Sequence, residues 1–222
     1  MKLMGIDDAG RGAVIGPLVI AGTSFLKEDL KKLKDLGVKD SKELSKEKRE
    51  KLAKKIEEIA SEIIVMKVKP CKIDKWRKLN RSLDLLEAKK MAEIIQISNA
   101  DVFYLDALTS RPKKFKEIVE SFLNKKVTIK AENFADKKYL VVSAASIIAK
   151  VERDKEIEDL KEKIKFDFGV GYPHDPKTIE FLKKLIEERK ELPNFIRKTW
   201  LTTEMLLEEK IQKKISHFLV KR

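Results

Sequence analysis

The chain has 222 residues, room for one domain of roughly 100–200 residues with an appendage rather than for two full domains. Lys and Arg number 50 against 37 Asp and Glu, and 42% of residues are hydrophobic, so the chain is too apolar for disorder, and its net charge of +13 points to a polyanionic partner. One cysteine, Cys71, excludes a disulfide framework and suits a reducing, cytoplasmic compartment, while two histidines, His174 and His217, leave no His/Cys set for structural zinc.

Leu3 to Asp7 reads as a short buried strand that ends in acid and glycine. The opening Met1 to Asp7 meets carboxylates at once, unlike a signal peptide. Val14 to Phe25 is β-rich and reads as a strand or hairpin. Gly16, Pro17 and Gly22 break it, and it falls short of the about 20 residues that span a bilayer. A short helix follows over Leu30 to Leu36, closed by Gly37. Ser45 can cap a helix through Leu52, Ile56 and Ile59. Glu62 to Lys69 reads as a strand that Pro70 ends. Leu83, Leu86, Met91, Ile94 and Ile95 form a helical stripe. Val102 to Asp106 is a strand ending in acid. Phe115, Ile118, Val119 and Phe122 mark another helix, and Val127 to Ala131 another strand. Tyr139 to Ile164 reads as one long helix. Ile179, Leu182, Leu185 and Ile186 mark one more, and Trp200 to Ile211 the last. Strands alternate with helices up to about residue 165, which predicts an α/β fold around a mixed central sheet flanked by helices. The expected organisation is a catalytic domain over 1–165, a C-terminal helical lobe over 166–209, and a mobile tail over 210–222.

Carboxylates fall where such a sheet gathers ligands. Asp7 and Asp8 follow the first strand, Asp106 ends a middle strand, and Asp136 precedes the long helix. Each alone reads more readily as a turn or helix cap. Together, with no histidine offered, adjacent aspartates repel in low dielectric, and a divalent cation relieves that repulsion. Any metal here is held by oxygen, hence magnesium, manganese or calcium. Gly10, Arg11 and Gly12 make a tight turn whose amides can face a phosphate or sugar, or an ordinary loop. Lys39, Ser41 and Lys42 lie in a polar turn open to phosphate or to solvent alone. Gly169 to Pro176 is a rigid loop that holds Tyr172 at the surface, for stacking or for packing on a neighbour.

Gly5-Ile6-Asp7-Asp8-Ala9-Gly10-Arg11-Gly12 with Ile15-Gly16-Pro17-Leu18-Val19 resembles the opening of the type 2 ribonucleases H (ribonuclease HII), in an archaeal style. Gly37 to Lys42 resembles that family's second motif, and Leu105-Asp106 its third carboxylate. Ala135 to Tyr139 through Val142 to Lys150 resembles the fourth, and Gly171-Tyr172-Pro173 and Thr199-Trp200 complete the set. The resemblance implies a ribonuclease H-like mixed sheet with a C-terminal helical lobe. It implies a cytoplasmic, monomeric enzyme with no membrane partner, using two Mg2+ or Mn2+ ions. Asp7, Asp8, Asp106 and Asp136 take the catalytic and metal-binding positions. Gly10, Arg11, Gly12, Lys39, Ser41, Lys42, Ser143, Ser146, Lys150 and Tyr172 take substrate-binding ones. The implied substrates are RNA/DNA hybrids and DNA duplexes with embedded ribonucleotides, cut on the 5′ side to leave 3′-hydroxyl and 5′-phosphate ends. A reader of RNA within DNA must touch the 2′-hydroxyl.

The family writes Asp-Glu where this chain has Asp7-Asp8, and the missing methylene moves a carboxylate by about 1.5 Å, one C–C bond. Asn133-Phe134 stand where the family usually has His-Lys. A hybrid-binding protein with impaired catalysis therefore remains the alternative. A kinase-like ATPase would need a second such domain. The type III sister family carries an extra N-terminal domain, whereas this chain starts at its first strand. Gln212, Ile215, Phe218 and Leu219 resemble the peptide by which repair enzymes bind the sliding clamp (PCNA), with Leu219 for the second aromatic, set on a short 3₁₀ turn. The same apolar residues could instead dock on the chain's own last helix.

Overall fold

The computed structural model describes residues 1–38 and 45–220, with residues 213–220 described by their backbone alone. Five strands form one sheet: β1 (Lys2–Ala9), β2 (Leu18–Leu26), β3 (Glu62–Val68), β4 (Val102–Asp106) and β5 (Thr128–Glu132), in the order β3-β2-β1-β4-β5. β1 runs antiparallel to β2 and parallel to β4, and β4 runs parallel to β5. This is the mixed sheet expected. β1 and β2 are buried along nearly their whole length, and β2 reads as a near-continuous apolar run rather than an alternating one.

The helices are α1 (Leu30–Asp35), α2 (Lys46–Ile59), α3 (Pro70–Lys78), α4 (Leu83–Ile97), α5 (Pro112–Ser121), α6 (Ala135–Lys138), α7 (Leu140–Ile164), α8 (Pro176–Glu188) and α9 (Leu201–Val220). Ser45 caps α2 as expected, its hydroxyl accepting from the Lys48 amide, and Ser82 does the same for α4 from Leu85. Asp175 caps α8 by accepting from the Lys177 amide at 3.1 Å. Among the described residues, no helix is long and apolar enough to cross a membrane.

The chain forms two compact units. The first takes Met1–Ala9, Val19–Lys67 and Arg81–Asp154. Its core packs Val19, Ala21 and Phe25 of β2 with Leu33, Ile56, Val142 and Ile147. Here α7 lies very close to the sheet: a Cβ on Gly5 would stand 2.2 Å from the Val141 carbonyl carbon, and Thr23 Oγ1 donates to the Val141 carbonyl at 3.0 Å. Small residues Ser143, Ala144, Ala145, Ser146 and Ala149 make that approach possible. The second unit takes Gly10–Leu18, Val68–Asn80 and Lys155–Arg222. Val14, Ile15, Ile157, Phe168, Phe181, Leu182 and Ile196 are in its core, where Phe166 and Phe168 both stack on Phe181.

Three expectations about elements change. Val14 to Pro17 is no strand: the Val14 and Ile15 amides donate to the Gly171 carbonyl, and Ile15 bridges to Ile196. Pro70 does not merely end a strand but opens α3, since a proline's missing N–H costs nothing in a first helical turn. The last helix does not stop near Ile211. It continues to Val220 across residues expected to form a mobile tail with a 3₁₀ turn. Ile215, Phe218 and Leu219 lie outside the described side chains, as Lys39, Ser41 and Lys42 lie outside the described residues.

Candidate active site

Register brings two of the carboxylates together. Ile6 of β1 pairs with Leu105 of β4, so one step on, Asp7 falls level with Asp106, which ends β4, while β1 runs two residues further. Both are buried, at 5% and 7% exposure, and Asp8 is half-buried. The Asp8 amide donates to Asp7 Oδ1 at 2.7 Å. Burial, then the charges of Asp8 and Asp106, push the Asp7 carboxyl far above the ordinary carboxylate range, to about 8. A hydrogen bond with the Ser146 side chain and the Asp8 amide pull it partly back.

Asp136 arrives by a different route. Asp106 Oδ1 accepts from the Ala135 amide at 2.7 Å, which ties the end of β4 to the start of α6, where Asp136 is half-buried in the first turn. Phe134, just before α6, holds a left-handed backbone at φ 56°. The Ser143 hydroxyl donates to the main-chain carbonyls of Asp136 and Tyr139. Ser143 and Ser146 are buried, while Lys150, one turn further along α7, is half-buried. Glu132, level with Asp106 on β5, went unnoticed in the sequence. Bonds from Lys138 and the Tyr139 hydroxyl hold its carboxyl below the usual range, which marks it as neutralised locally.

The second unit carries the glycine turn. Gly10 adopts φ 84°, and its amide donates to Tyr172 Oη at 3.1 Å. Gly12 is exposed, and a Cβ there would meet nothing within 4 Å. Tyr172 is half-buried rather than held out at the surface. Its ring stacks on His174 with centroids 5.5 Å apart, and its hydroxyl is engaged by the turn. Arg197 and Asp74, both buried, also belong to the framework of this turn and its surroundings. Neither stood out in the sequence, because a lone charge in a charged stretch reads as surface.

The donor set is all oxygen and hard, and the Asp7 carboxyl, raised first by burial and then by the charges of Asp8 and Asp106, sits where a hard divalent cation would favour its ionised form; the residues fit such a cation. Among the described residues, no three His, Cys, Asp or Glu side chains already stand as a closed ligand cage, so the fit rests on donor chemistry and electrostatics.

A family profile described as Ribonuclease HII matches residues 4–203. A ribonuclease HII of Methanococcus maripaludis is 45% identical over 96% of this chain and 90% of its own length. The ribonuclease H2 of Pyrococcus horikoshii superimposes with a TM-score of 0.87 at 41% identity, covering 94% of this chain and 98% of that one. A structure described as the PCNA:RNase HII complex from Archaeoglobus fulgidus matches at 0.83 and 42% identity, over 90% of this chain and 95% of that one.

Proposed function

We propose, from the premise that this chain belongs to the ribonuclease HII family, that it cuts DNA duplexes 5′ to an embedded ribonucleotide as well as the RNA strand of hybrids, leaving 3′-hydroxyl and 5′-phosphate ends. Membership itself carries a ribonuclease H-type endonuclease that depends on divalent metal. The observation that supports the reading best is the buried Asp7 carboxyl, raised by Asp8 and Asp106 beside it. Asp7, Asp8, Asp106 and Asp136 would hold two Mg2+ or Mn2+ ions, whose Lewis acidity would favour deprotonation of an attacking water and offset charge on the phosphate. Ser146 orients Asp7, and the Ala135 amide orients Asp106. The Gly10–Gly12 turn offers backbone donors to the 2′-hydroxyl, and Tyr172 packs on the ribose at the junction. Arg11, Lys39, Ser41, Lys42 and Lys150 contact phosphates. The enzyme acts as a monomer in the cytoplasm. A 5′-labelled DNA duplex with one ribonucleotide, incubated with Mg2+ or Mn2+ and resolved on a denaturing gel, tests this. One product ending just before the ribonucleotide is expected, and an uncut duplex in both metals defeats the reading.

A second reading follows from Asp8. If its shorter side chain leaves an ion misplaced, the protein grips hybrid duplexes without efficient cutting, because Mg2+ tolerates displaced ligands poorly. The same gel separates the two readings when paired with a binding assay.

The relative described in complex with PCNA supports a clamp partner for this chain too. Gln212, Ile215, Phe218 and Leu219 would enter an apolar groove of the clamp. Leu219 in place of an aromatic weakens the anchor, so affinity near micromolar is expected, about −8 kcal/mol. Deleting 212–222 should abolish clamp binding and leave cleavage of short duplexes within about twofold, since the four carboxylates are untouched. Calorimetry of a peptide covering 210–222 against the clamp checks it: no heat and no competition with a known clamp ligand would return this segment to a structural role.

A further inference from the structure

We propose that Arg197 is the positioning residue that sets the Gly10–Gly12 turn to read a ribose hydroxyl, a role that rests on the reading of that turn given above. Arg197 is fully buried and heads the large fully buried side chains by volume. A buried guanidinium is costly unless its donors are met. Here they are met by main-chain oxygens: Nη1 donates to the Arg11 carbonyl at 2.6 Å, Nη2 to Gly10 at 2.6 Å and Gly16 at 3.2 Å, and Nε to Gly16 at 3.3 Å. The guanidinium also sits 4.7 Å from the centroid of the Trp200 ring.

The choice of acceptors decides where the donors go. In a trans peptide, a carbonyl and the following N–H point in opposite directions. With the Gly10 and Arg11 carbonyls turned towards Arg197, the N–H groups of Arg11 and Gly12 face away from it. Two successive amides aimed the same way make a small nest for a hydroxyl or phosphate oxygen. Gly12 itself is exposed, and a Cβ there would meet nothing within 4 Å, so no side chain of its own crowds the turn. The Gly10 amide is not part of it, because it is committed to Tyr172.

Arg197 is itself anchored on both sides. Its amide donates to the Val14 carbonyl at 2.9 Å, and its carbonyl accepts from Thr203 Oγ1 at 2.9 Å. Buried Asp74 takes the next two amides, Lys198 at 2.9 Å and Thr199 at 3.1 Å, and the Thr199 hydroxyl at 2.8 Å. A lysine at 197 would offer one point charge in place of a planar fork and could not hold three carbonyls in one plane.

The test is equilibrium binding in EDTA, by fluorescence anisotropy, of the full chain and two variants, Arg197→Lys and Asp74→Asn. The probes are a DNA duplex with one ribonucleotide and the same duplex in DNA alone. The ratio of the two affinities is the readout. The parent should prefer the ribonucleotide, and Arg197→Lys should cut that ratio by about fivefold or more, the worth of one hydrogen bond, while all-DNA affinity stays within about twofold. A merely structural role would lower both affinities together. An unchanged ratio in a folded Arg197→Lys protein overturns the proposal. Should that variant fail to fold, Asp74→Asn decides: a reduced ratio with unchanged all-DNA affinity supports the brace, and the parent ratio overturns it. A parent ratio of one is a different failure, because it removes the reading of the turn and the proposal with it.

Discussion

Asp7 carries a conflict that chemistry can measure. Its carboxyl is raised from 3.8 to about 8, first by burial and then by Asp8 and Asp106. A folded-state value above the unfolded one means that the folded chain holds a proton the unfolded chain has lost. The contribution of this one group to stability is therefore fully present below about pH 4 and is lost as pH rises towards about 8. In EDTA, the parent should lose about 5 °C or more of Tm between pH 5 and pH 8.5, and Asp7→Asn should flatten that slope. The same substitution should slow cleavage by roughly 10²-fold or more while duplex binding persists, because charge stabilisation at the phosphate is what is lost. An Asp7→Asn protein that cuts at the parent rate would show that the site lies elsewhere. At the neighbouring position, Asp8→Glu should raise the Mg2+ rate more than the Mn2+ rate, since Mg2+ demands the stricter octahedron. Equal or lower rates in both metals would show a site adapted to aspartate. These aspartates were legible in the sequence because Asp7 and Asp8 break an apolar run, Asp106 ends one and Asp136 precedes a helix, although β1 runs on past the pair to Ala9. Ser146 beside Asp7 was legible only as part of a motif, and its bond to the Asp7 carboxyl was not.

Elements explain which residues the sequence could and could not reveal. β4 matches its apolar run residue for residue, and Ser45 marks the start of α2 by its capping chemistry. Residues 14–17 mislead because β-branched side chains are buried there without a ladder, their amides spent on Gly171. α3 hides because its apolar signal is thin: Ile73 is buried, but so is Asp74, turned inward to bond residues 198 and 199. The Gly10–Gly12 turn and the Gly169–Pro176 loop were each visible as glycine-rich segments, but their bond through Tyr172 was not, being a contact between positions 162 residues apart. That bond makes two substitutions informative. Tyr172→Phe keeps the ring and loses the acceptor for the Gly10 amide, worth roughly 0.5–1.5 kcal/mol. Tyr172→Ala loses stacking as well, roughly 1–3 kcal/mol. Both losses should be larger for a lone ribonucleotide than for a long hybrid in steady-state kinetics, and equal losses would count against junction reading.

Across the whole molecule, the net charge of +13 sets the expectation for salt. If about 4–8 phosphates are neutralised, log affinity should fall with log salt at a slope of about −4 to −7 on a B-form duplex. Titrations between about 50 and 200 mM salt measure it, and a flat response would mean that the lysines mostly serve helix faces. Pairs such as Lys116–Glu120 and Lys184–Glu188 show that some of them do.

The second unit is assembled from segments at opposite ends of the chain, and this has a consequence for its synthesis. Gly10 leaves the ribosome early, yet Tyr172 and Arg197, which hold its turn, follow 162 and 187 residues later. At about 5–20 residues per second, the opening turn waits roughly 10–40 s for its partners. During that interval Val14 and Ile15 have no core to enter, so the nascent chain presents an apolar segment to chaperones and proteases. Such long-range closure also slows folding, since loop entropy is lost before the contacts that reward it form. A message truncated before residue 197 would therefore encode all four carboxylates but leave the turn at Gly10 without its arginine.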